Sequence, residues 1–331
     1  MEDKRISALD TVRGVAAFCV MWVHTGLGGD TWIISPIMLP AFFFVAGCLL
    51  KQDNAKNFFK NRILKLLLPW ILVSYVQAYA NVSTAKQILA DGSEFWRIGK
   101  ECSINVLRGR AVWFVPALIV ALIIAYLIIR LCGEEKLVLM LTVSVIVAVA
   151  AYLFMRPYSV FNIWNLTAAT INQFFVVVGF VAKRLYHSRK DTIKISLWWI
   201  PAFIAELVVC RVLWGMQDFD VRNNQYGQLF GLYFILALSG IAAVFSVAMR
   251  VSKIPLLTFM GRHSLLYFAF GAHGDVIGRT VLKWACKFCG LKQCPFSSLF
   301  VCTVASIAWI LPAMLIDRIC PVLNGKWTWK R

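Results

Sequence analysis

Apolar stretches of close to twenty residues recur along the whole chain, separated by short polar segments. Ten of them can be marked, at residues 6–27, 32–50, 63–80, 112–131, 137–154, 165–182, 195–214, 227–249, 256–279 and 296–316. A membrane-spanning helix needs about 20 predominantly apolar residues. Only 15% of the chain is charged, against about 25% in soluble domains, so a soluble shell could hardly be built. The sequence predicts an all-α, polytopic membrane protein of about ten transmembrane helices, in a single transmembrane domain over residues 1–331.

Lysine and arginine are distributed unevenly between the two sides of this predicted topology. With the N-terminus inside, 21 of the 34 basic residues fall in inside segments, as the positive-inside rule requires. We therefore expect both termini in the cytoplasm and, in a bacterium, insertion in the cell membrane. Basic cytoplasmic loops then account for the formal charge of +18, and no nucleic-acid partner is expected. The first apolar stretch lacks a small-residue cleavage site and is predicted to be a true span.

The first span, ISALDTVRGVAAFCVMWVHTG, carries three ionisable side chains. Arg13 and His24 are eleven residues apart, almost three full turns, so they share one helix face about 16 Å apart along the axis. Asp10 lies three residues before Arg13, at a spacing that allows an ion pair. Because charged groups within spans are costly and mark sites, this stripe is a candidate site. An Asp10–Arg13 pair that only anchors the helix, with an ordinary interfacial His24, fits the spacing equally well.

Two further groups of polar residues lie within predicted spans. Glu206 is near the middle of the seventh span, where a carboxylate must be paired, protonated or hydrated. A partner for a basic group is favoured there over an acid/base role. The ninth span contains His263, Tyr267, His273 and Asp275. Histidines exchange protons near neutral pH, so a site shared with the first span is one reading, and hydrogen-bonded packing of each histidine is the other.

The motifs in the first half of the chain resemble those of the membrane acyltransferase-3 family. LD-x-x-RG-x-A at Leu9–Ala16, followed by His24, matches the family's arginine, ten intervening residues and histidine. PAFFFVAGCLL at Pro40–Leu50 is similar to its second-helix stretch, with Ala46 where serine is usual. FFKNRILKLLLPW at Phe58–Trp70 resembles its basic loop, with lysine replacing the second arginine and the proline one residue late.

The resemblance continues in order toward the ninth span. VWFVPALI at Val112–Ile119 is similar to the family's "WFL-x-AL" helix start. GRHSLLYFAFGAH at Gly261–His273 resembles "G-x-x-SL-x-x-Y-x-x-H", with the histidine six residues after the tyrosine instead of three. The resemblance implies a ten-helix bundle that moves an acyl group, usually acetyl from cytoplasmic acetyl-coenzyme A, to a hydroxyl of a lipid-linked or extracellular glycan. Because the chain ends at Arg331, a version without a C-terminal soluble domain is expected.

Candidate roles follow from combining the resemblance with side-chain chemistry. His24 is the candidate general base or transient acyl carrier, and with Arg13 forms the candidate catalytic pair. Arg13, Lys60, Arg62 and Lys65 are candidates for binding the phosphates of the acyl donor, although the last three suit topology-setting charge as well. Further candidates to line a cavity are Asp10, Trp113, Glu206, Tyr267 and His273.

The cysteines and the rival functions leave alternatives open. Cys286, Cys289 and Cys294 cluster in one predicted external loop and Cys102 lies in another, residues 81–111. Disulfides are plausible if that side is oxidising, and no metal is predicted because the C-x₂-C has no matching pair. A secondary transporter or flippase is the alternative function, although no inverted repeat of the kind common in transporters is visible. An acyltransferase for an amine, an amino acid or a sterol-like lipid is the other alternative.

Overall fold

The computed structural model describes the backbone of residues 2–25, 31–51, 53–80, 82–188, 195–215, 219–251, 254–289 and 297–326, and it is helical almost throughout. The helices of the first part are α1 Glu2–His24, α2 Thr31–Cys48, α3 Ala55–Phe58, α4 Leu64–Tyr79, α5 Val82–Ala90, α6 Ser93–Leu107, α7 Phe114–Cys132, α8 Leu137–Ala150 and α9 Leu166–Ser188. A π-helical turn, Phe59–Ile63, joins α3 to α4, and another, Ala151–Met155, extends α8. A 3-10 segment, Ser159–Asn165, precedes α9.

The second part of the chain adds a small hairpin to the helices. The helices are α10 Trp199–Trp214, α11 Phe230–Arg250, α12 Pro255–Arg262, α13 Ser264–Cys289, α14 Ser297–Ala308 and α15 Ile310–Ile319. Strands β1 Phe219–Asp220 and β2 Gln225–Tyr226 pair antiparallel between α10 and α11, and a 3-10 turn, Pro321–Asn324, follows α15. The all-α prediction is confirmed, with this two-residue-per-strand hairpin as a minor addition.

Each of the ten predicted spans coincides with a helix, but two of them are broken. The stretch 256–279 divides at His263 into α12 and α13, and 296–316 divides at Trp309 into α14 and α15. Pro312 lies three residues after the second break. A proline inside a helix lacks the N–H that would bond four residues back and its ring crowds that carbonyl, so the break before Pro312 has a local cause.

Five of the described helical stretches are each long and apolar enough to cross a membrane, and a bent pair, Ala55–Tyr79 with Ser83–Ala90, would make a sixth. The five are Phe114–Cys132, Leu137–Met155, Asn162–Tyr186, Phe230–Arg250 and Ser297–Ile319. The helices at the other predicted spans are shorter, broken or more polar: α10 has 16 residues, and α1 contains both Asp10 and Arg13. The protein is thus a multi-pass membrane protein, while the count of ten spans stays a prediction.

The polar segment 81–111, expected only as a long external loop, contains α5 and α6. Phe95, Ile98 and Cys102 recur at the i, i+3, i+7 positions that form one helix face. Ile98 and Cys102 are buried, and the Phe95 ring stacks on Tyr79 of α4 with centroids 5.0 Å apart. Helix α6 is therefore amphipathic and packs its apolar face on α4.

The chain forms two compact units. The first comprises residues 1–49 and 178–313, and the second comprises residues 50–177 and 314–331. In the first unit, α1 packs against α2, α11, α12, α13 and α14. Small residues make this possible, because Ala8, Ala16 and Ala17 of α1 are each at most 1% exposed. In the second unit, the fully buried Trp70 donates its indole N–H to the carbonyl of Ala111 at 2.7 Å.

Candidate functional site

The first span approaches α12 so closely that two glycines are needed at the contact. A Cβ built on Gly14 would lie 1.8 Å from the carbonyl oxygen of Leu257, and one built on Gly261 would lie 1.8 Å from the carbonyl oxygen of Asp10. Real Cβ atoms do not approach backbone oxygens this closely, so neither position has space for a larger residue. Small residues allow helix backbones to pack this tightly in membranes. The glycine of the LD-x-x-RG motif therefore fixes where α1 meets α12.

Polar side chains link the same two helices beside the glycines. Nε of Arg262 donates to Oδ2 of Asp10 at 3.0 Å, and the hydroxyls of Thr11 and Thr258 are hydrogen-bonded at 3.1 Å. The Asp10 side chain is 14% exposed and that of Arg262 is 55% exposed, so the ion pair lies at the edge of the helix contact. Asp10 thus has a partner on α12, which spacing within α1 alone could not indicate.

Arg13 is half-buried and directly precedes Gly14. Its position on α1 is set by the backbone contact that Gly14 makes with α12. The guanidinium is therefore attached to a part of the helix that cannot shift or rotate without separating α1 from α12. A fixed arginine with partial access to solvent is suited to binding an anionic group in a defined geometry.

His24 is the last residue of α1 and its side chain is exposed. The residues on both sides of it are held: the indole N–H of Trp22 donates to the Ser298 hydroxyl at 2.9 Å, and the guanidinium of Arg279 donates to the carbonyl of Thr25. Thr25 is itself buried. Because α13 and α14 hold the end of α1 in this way, His24 presents an accessible imidazole on a rigid support.

The polar residues at the break between α12 and α13 are engaged in packing. His263 is buried, its Nδ1 is 2.9 Å from the carbonyl oxygen of Phe259, and its ring stacks on that phenyl ring. Tyr267 is also buried and donates its hydroxyl to the carbonyl of Ser306 at 3.0 Å. Their contacts join α12, α13 and α14. His263 therefore fits the packing alternative, and Tyr267, a predicted cavity residue, bonds to the backbone of α14.

The backbone of α13 includes the positions of His273 and Asp275, but their side chains lie outside the described residues. Gly271, two residues before His273, packs against Met21 of α1, since a Cβ there would lie 2.9 Å from the Met21 side chain. The part of α13 that carries His273 is thus close in sequence to a contact with the C-terminal half of α1. The predicted role of His273 stays a prediction.

Glu206 lines a cavity of about 590 Å³ in the first unit, together with residues of α1, α2, α9, α10 and α11. The hydroxyl of Ser239, on α11, donates to Oε2 of Glu206. The mid-helix carboxylate of Glu206 therefore bonds to a hydroxyl, where the sequence favoured a basic group. Leu9, one turn before Arg13, also lines the cavity, while neither Arg13 nor His24 is among its lining residues.

Three of the four predicted donor-binding cations lie in the second unit. Lys60 and Arg62 are in the π-helical turn Phe59–Ile63, and Lys65 is in the first turn of α4. The preceding Phe58 is buried and stacks on Tyr126 of α7, with ring centroids 4.1 Å apart. A π-helical turn inserts an extra residue into the helix and is frequent at functional sites. Here it changes the direction in which the cations project relative to a continuous α-helix.

Trp113, the predicted cavity residue that lies in the second unit, directly precedes α7 and is half-buried. Its carbonyl accepts a hydrogen bond from the Asn165 side-chain amide at 3.5 Å. The residue before it, Val112, has a positive φ of 42°, which is uncommon outside glycine. This backbone conformation marks the entry to α7 at the "VWFVPALI" motif.

The cysteines and possible metal ligands give no further site among the described residues. Cys102 and Cys286 are free thiols, and Cys102 is buried with its thiol donating to the carbonyl of Ser74. Burial raises the pKa of the Cys102 thiol, which disfavours the reactive thiolate. The side chains of Cys289 and Cys294 lie outside the described part of the chain. No cluster of three or more His, Cys, Asp and Glu side chains suited to a metal occurs within the described ranges.

Sequence reasoning missed several residues that position the site. Five residues each contact a residue of the first span that is more than 240 positions away along the chain, namely Arg262, Thr258, Gly261, Arg279 and Ser298. Gly14 in "RG" and Gly261 in "MGR" were the available signal for this contact, since glycine within a membrane helix indicates close packing. Which glycine meets which backbone could not be read from one sequence.

Comparison with known proteins identifies the family of the chain. A family model described as an acyltransferase domain, that of the acyltransferase-3 family, matches residues 6–311. No curated protein and no solved structure matches the chain. The matched region begins at the start of the first apolar stretch and ends within α15, so it covers most of both units and includes every candidate site residue. The chain belongs to the acyltransferase-3 family and is a membrane acyltransferase.

Proposed function

We propose that this protein is an O-acetyltransferase that moves an acetyl group from cytoplasmic acetyl-coenzyme A to a hydroxyl of a glycan or lipid-linked sugar. Such a reaction would modify a polysaccharide or its precursor. The observation that carries the proposal is α1 itself, with a half-buried Arg13 fixed against α12 and an exposed His24 on its anchored end. Membership of the acyltransferase family supports the reaction class.

The topology proposed for this activity has ten spans in one transmembrane domain, with both termini in the cytoplasm. Two observations support it: the basic residues are concentrated on one side, and a helix occurs at each predicted span. In a bacterium the membrane would be the cell membrane. His24 then lies toward the outer side of α1 and Arg13 toward the inner side, about 16 Å apart along the axis.

In this mechanism His24 acts as general base. The imidazole takes the proton of the acceptor hydroxyl as its oxygen attacks the thioester carbonyl. The new C–O bond forms, the C–S bond breaks, and the proton is passed to the leaving coenzyme A thiolate. An exposed side chain at a helix end suits this role, because an acceptor sugar can reach it. Attack by His24 itself, with an acyl-imidazole intermediate, is the alternative route.

The proposed donor site consists of cations that suit the phosphates of coenzyme A. Arg13 would contact the donor within the helices, where guanidinium binds an anion through paired hydrogen bonds. Lys60, Arg62 and Lys65 would hold the nucleotide end. The π-helical turn supports this role, because it groups Lys60 and Arg62 on a segment that Phe58 anchors to α7. No metal is required for a thioester donor, since the acyl group is already activated.

Thioester turnover tests the proposed function directly. Purified full-length protein in detergent should consume acetyl-coenzyme A and release free coenzyme A, detected with a thiol reagent, at a rate that rises when acceptor glycan is added. Protein inactivated by heating gives the background. If vesicles containing the protein instead move a solute while acetyl-coenzyme A is left intact, the protein is a transporter and the proposal is wrong.

Replacement of Arg13 by lysine should weaken donor binding while the positive charge is kept. Lysine binds phosphate as a point charge and cannot form the paired hydrogen bonds of guanidinium. We expect KM for acetyl-coenzyme A to rise about tenfold, the equivalent of roughly 1.4 kcal/mol, with a smaller change in kcat. Arg211→Lys is the matched control, because Arg211 lies on α10 and stacks over Trp32. Equal KM values for Arg13→Lys and wild type would exclude Arg13 from the donor site.

A further inference from the structure

The cavity lined by Glu206 is long and apolar. Along α11 its lining residues run from Ile235 to Met249, fourteen residues or about 21 Å at 1.5 Å per residue. That length exceeds the depth of one lipid leaflet, roughly half of a 30 Å hydrocarbon core. The volume of about 590 Å³ lies within the range of roughly 300–1,000 Å³ found for ligand sites. These dimensions suit an extended hydrocarbon chain.

The outer wall of the cavity continues onto a surface that suits contact with lipid. Three of its lining side chains, Leu185, Trp199 and Ile235, are 40%, 43% and 55% exposed. The outward face of α10 is apolar as well, with Val208 54% and Val212 75% exposed. In a membrane protein such a face meets acyl chains, because no polar group there requires water. An apolar molecule can therefore enter the cavity from the bilayer.

The cavity has a basic residue at one end and a carboxylate deeper inside. Lys183 lines one end of the cavity, near the C-terminus of α9. Trp199, the first residue of α10, and Met249, close to the C-terminus of α11, line the same end. Glu206 lies seven residues into α10, about 10 Å deeper. Its carboxylate accepts a hydrogen bond from the Ser239 hydroxyl. Because Ser239 also lines the cavity, the carboxylate is partly satisfied without a ligand. The cavity thus offers a cation at its end and a largely apolar interior.

We propose that this cavity binds one acyl chain of an anionic phospholipid from the surrounding bilayer, with the lipid phosphate close to Lys183. The charge at Lys183 favours an anionic headgroup over a zwitterionic one. The acyl chain lies along α11 beside the Glu206–Ser239 pair, and burial of its methylene groups supplies the affinity. Leu9 joins this wall to the turn of α1 that carries Arg13, so the bound chain supports that turn. The site is independent of which acceptor the enzyme uses.

Native mass spectrometry of the full-length protein in detergent tests this inference. Delipidated protein is titrated with palmitoyl-oleoyl phosphatidylglycerol, with the matching phosphatidylcholine, and with a polyprenyl phosphate. Ala242→Trp fills the cavity, because Ala242 lines it. Lys183→Gln removes the cation without adding volume. Val208→Trp, on the exposed face of α10, is the control for lipid bound around the protein.

Wild type and Val208→Trp should bind one phosphatidylglycerol in preference to phosphatidylcholine. Ala242→Trp should lose about tenfold in affinity, as expected when a few methylene groups lose their burial, and Lys183→Gln should lose the preference for the anionic lipid. Equal binding by wild type and Ala242→Trp overturns the proposal, as does an unchanged preference in Lys183→Gln or displacement of phosphatidylglycerol by the polyprenyl phosphate. If Ala242→Trp fails to fold by size-exclusion chromatography, Lys183→Gln still decides.

Discussion

Replacement of His24 by alanine is expected to reduce kcat/KM for acyl transfer by a factor of about 10²–10⁴, the usual contribution of a general base. The reason is that alanine cannot take the proton of the acceptor hydroxyl, so the attacking oxygen stays a weak nucleophile. The side chain is exposed at the end of α1, and its removal leaves no buried cavity. Transfer of radiolabelled acetyl groups by membranes containing equal amounts of each variant measures the loss.

Val23→Ala is the matched control, because it shortens the neighbouring half-buried side chain in the same turn. It should retain activity close to that of wild type. His24→Ala should also elute from size-exclusion chromatography as wild type does, since Trp22 and Thr25 still hold the helix end. Transfer by His24→Ala at the wild-type rate would remove His24 from the mechanism.

The pH dependence of wild-type activity is a second test of His24. Histidine changes its charge between about pH 5 and pH 8, and only the neutral imidazole accepts a proton. We expect wild-type kcat/KM to rise with pH across this window, and the residual activity of His24→Ala to lack that rise. Label that stays on wild-type protein after brief exposure to donor alone, and is absent from His24→Ala, would indicate an acyl carrier instead of a base.

A single sequence predicts best those features of the fold that depend on residues close together in the chain. The positions of the helices at the predicted spans follow from hydropathy within about twenty residues, and a single sequence contains that information. The break before Pro312 and the amphipathic face of Ile98 and Cys102 were also encoded locally. Uninterrupted apolar length does not indicate them, because they follow from proline position and helical periodicity instead.

The contacts that build the site could not be predicted in the same way. Asp10 bonds to Arg262, 252 positions away, although Arg13 at a neighbouring position satisfied every local criterion for pairing. Glu206 bonds to Ser239, where a carboxylate in the middle of a span suggested a cation. In both cases the partner depends on which helices pack together, and hydropathy patterns do not determine that.

The glycines at the crossing of α1 and α12 should be the least replaceable residues of the first unit. At either position an alanine methyl would have to displace a backbone carbonyl oxygen 1.8 Å away, and a backbone atom cannot move aside as a side chain can. The helices would have to separate. Separation would stretch the Asp10–Arg262 and Thr11–Thr258 hydrogen bonds and move Arg13, so activity and stability should fall together.

Gly14→Ala and Gly261→Ala should each destabilise the protein by about 1–3 kcal/mol, the usual cost of overpacking. At about 2–4 °C per kcal/mol, the apparent Tm in detergent should fall by roughly 2–12 °C, and acyl transfer should be lost well below that temperature. Gly231→Ala is the control, because it lies in α11 with no atom within 4 Å of an added Cβ and should leave the Tm unchanged or slightly higher. Because both substitutions separate the same pair of helices, the double variant should lose less than the sum of the single losses. Additive losses, or a wild-type Tm for either single variant, would show that the two glycines do not form one contact.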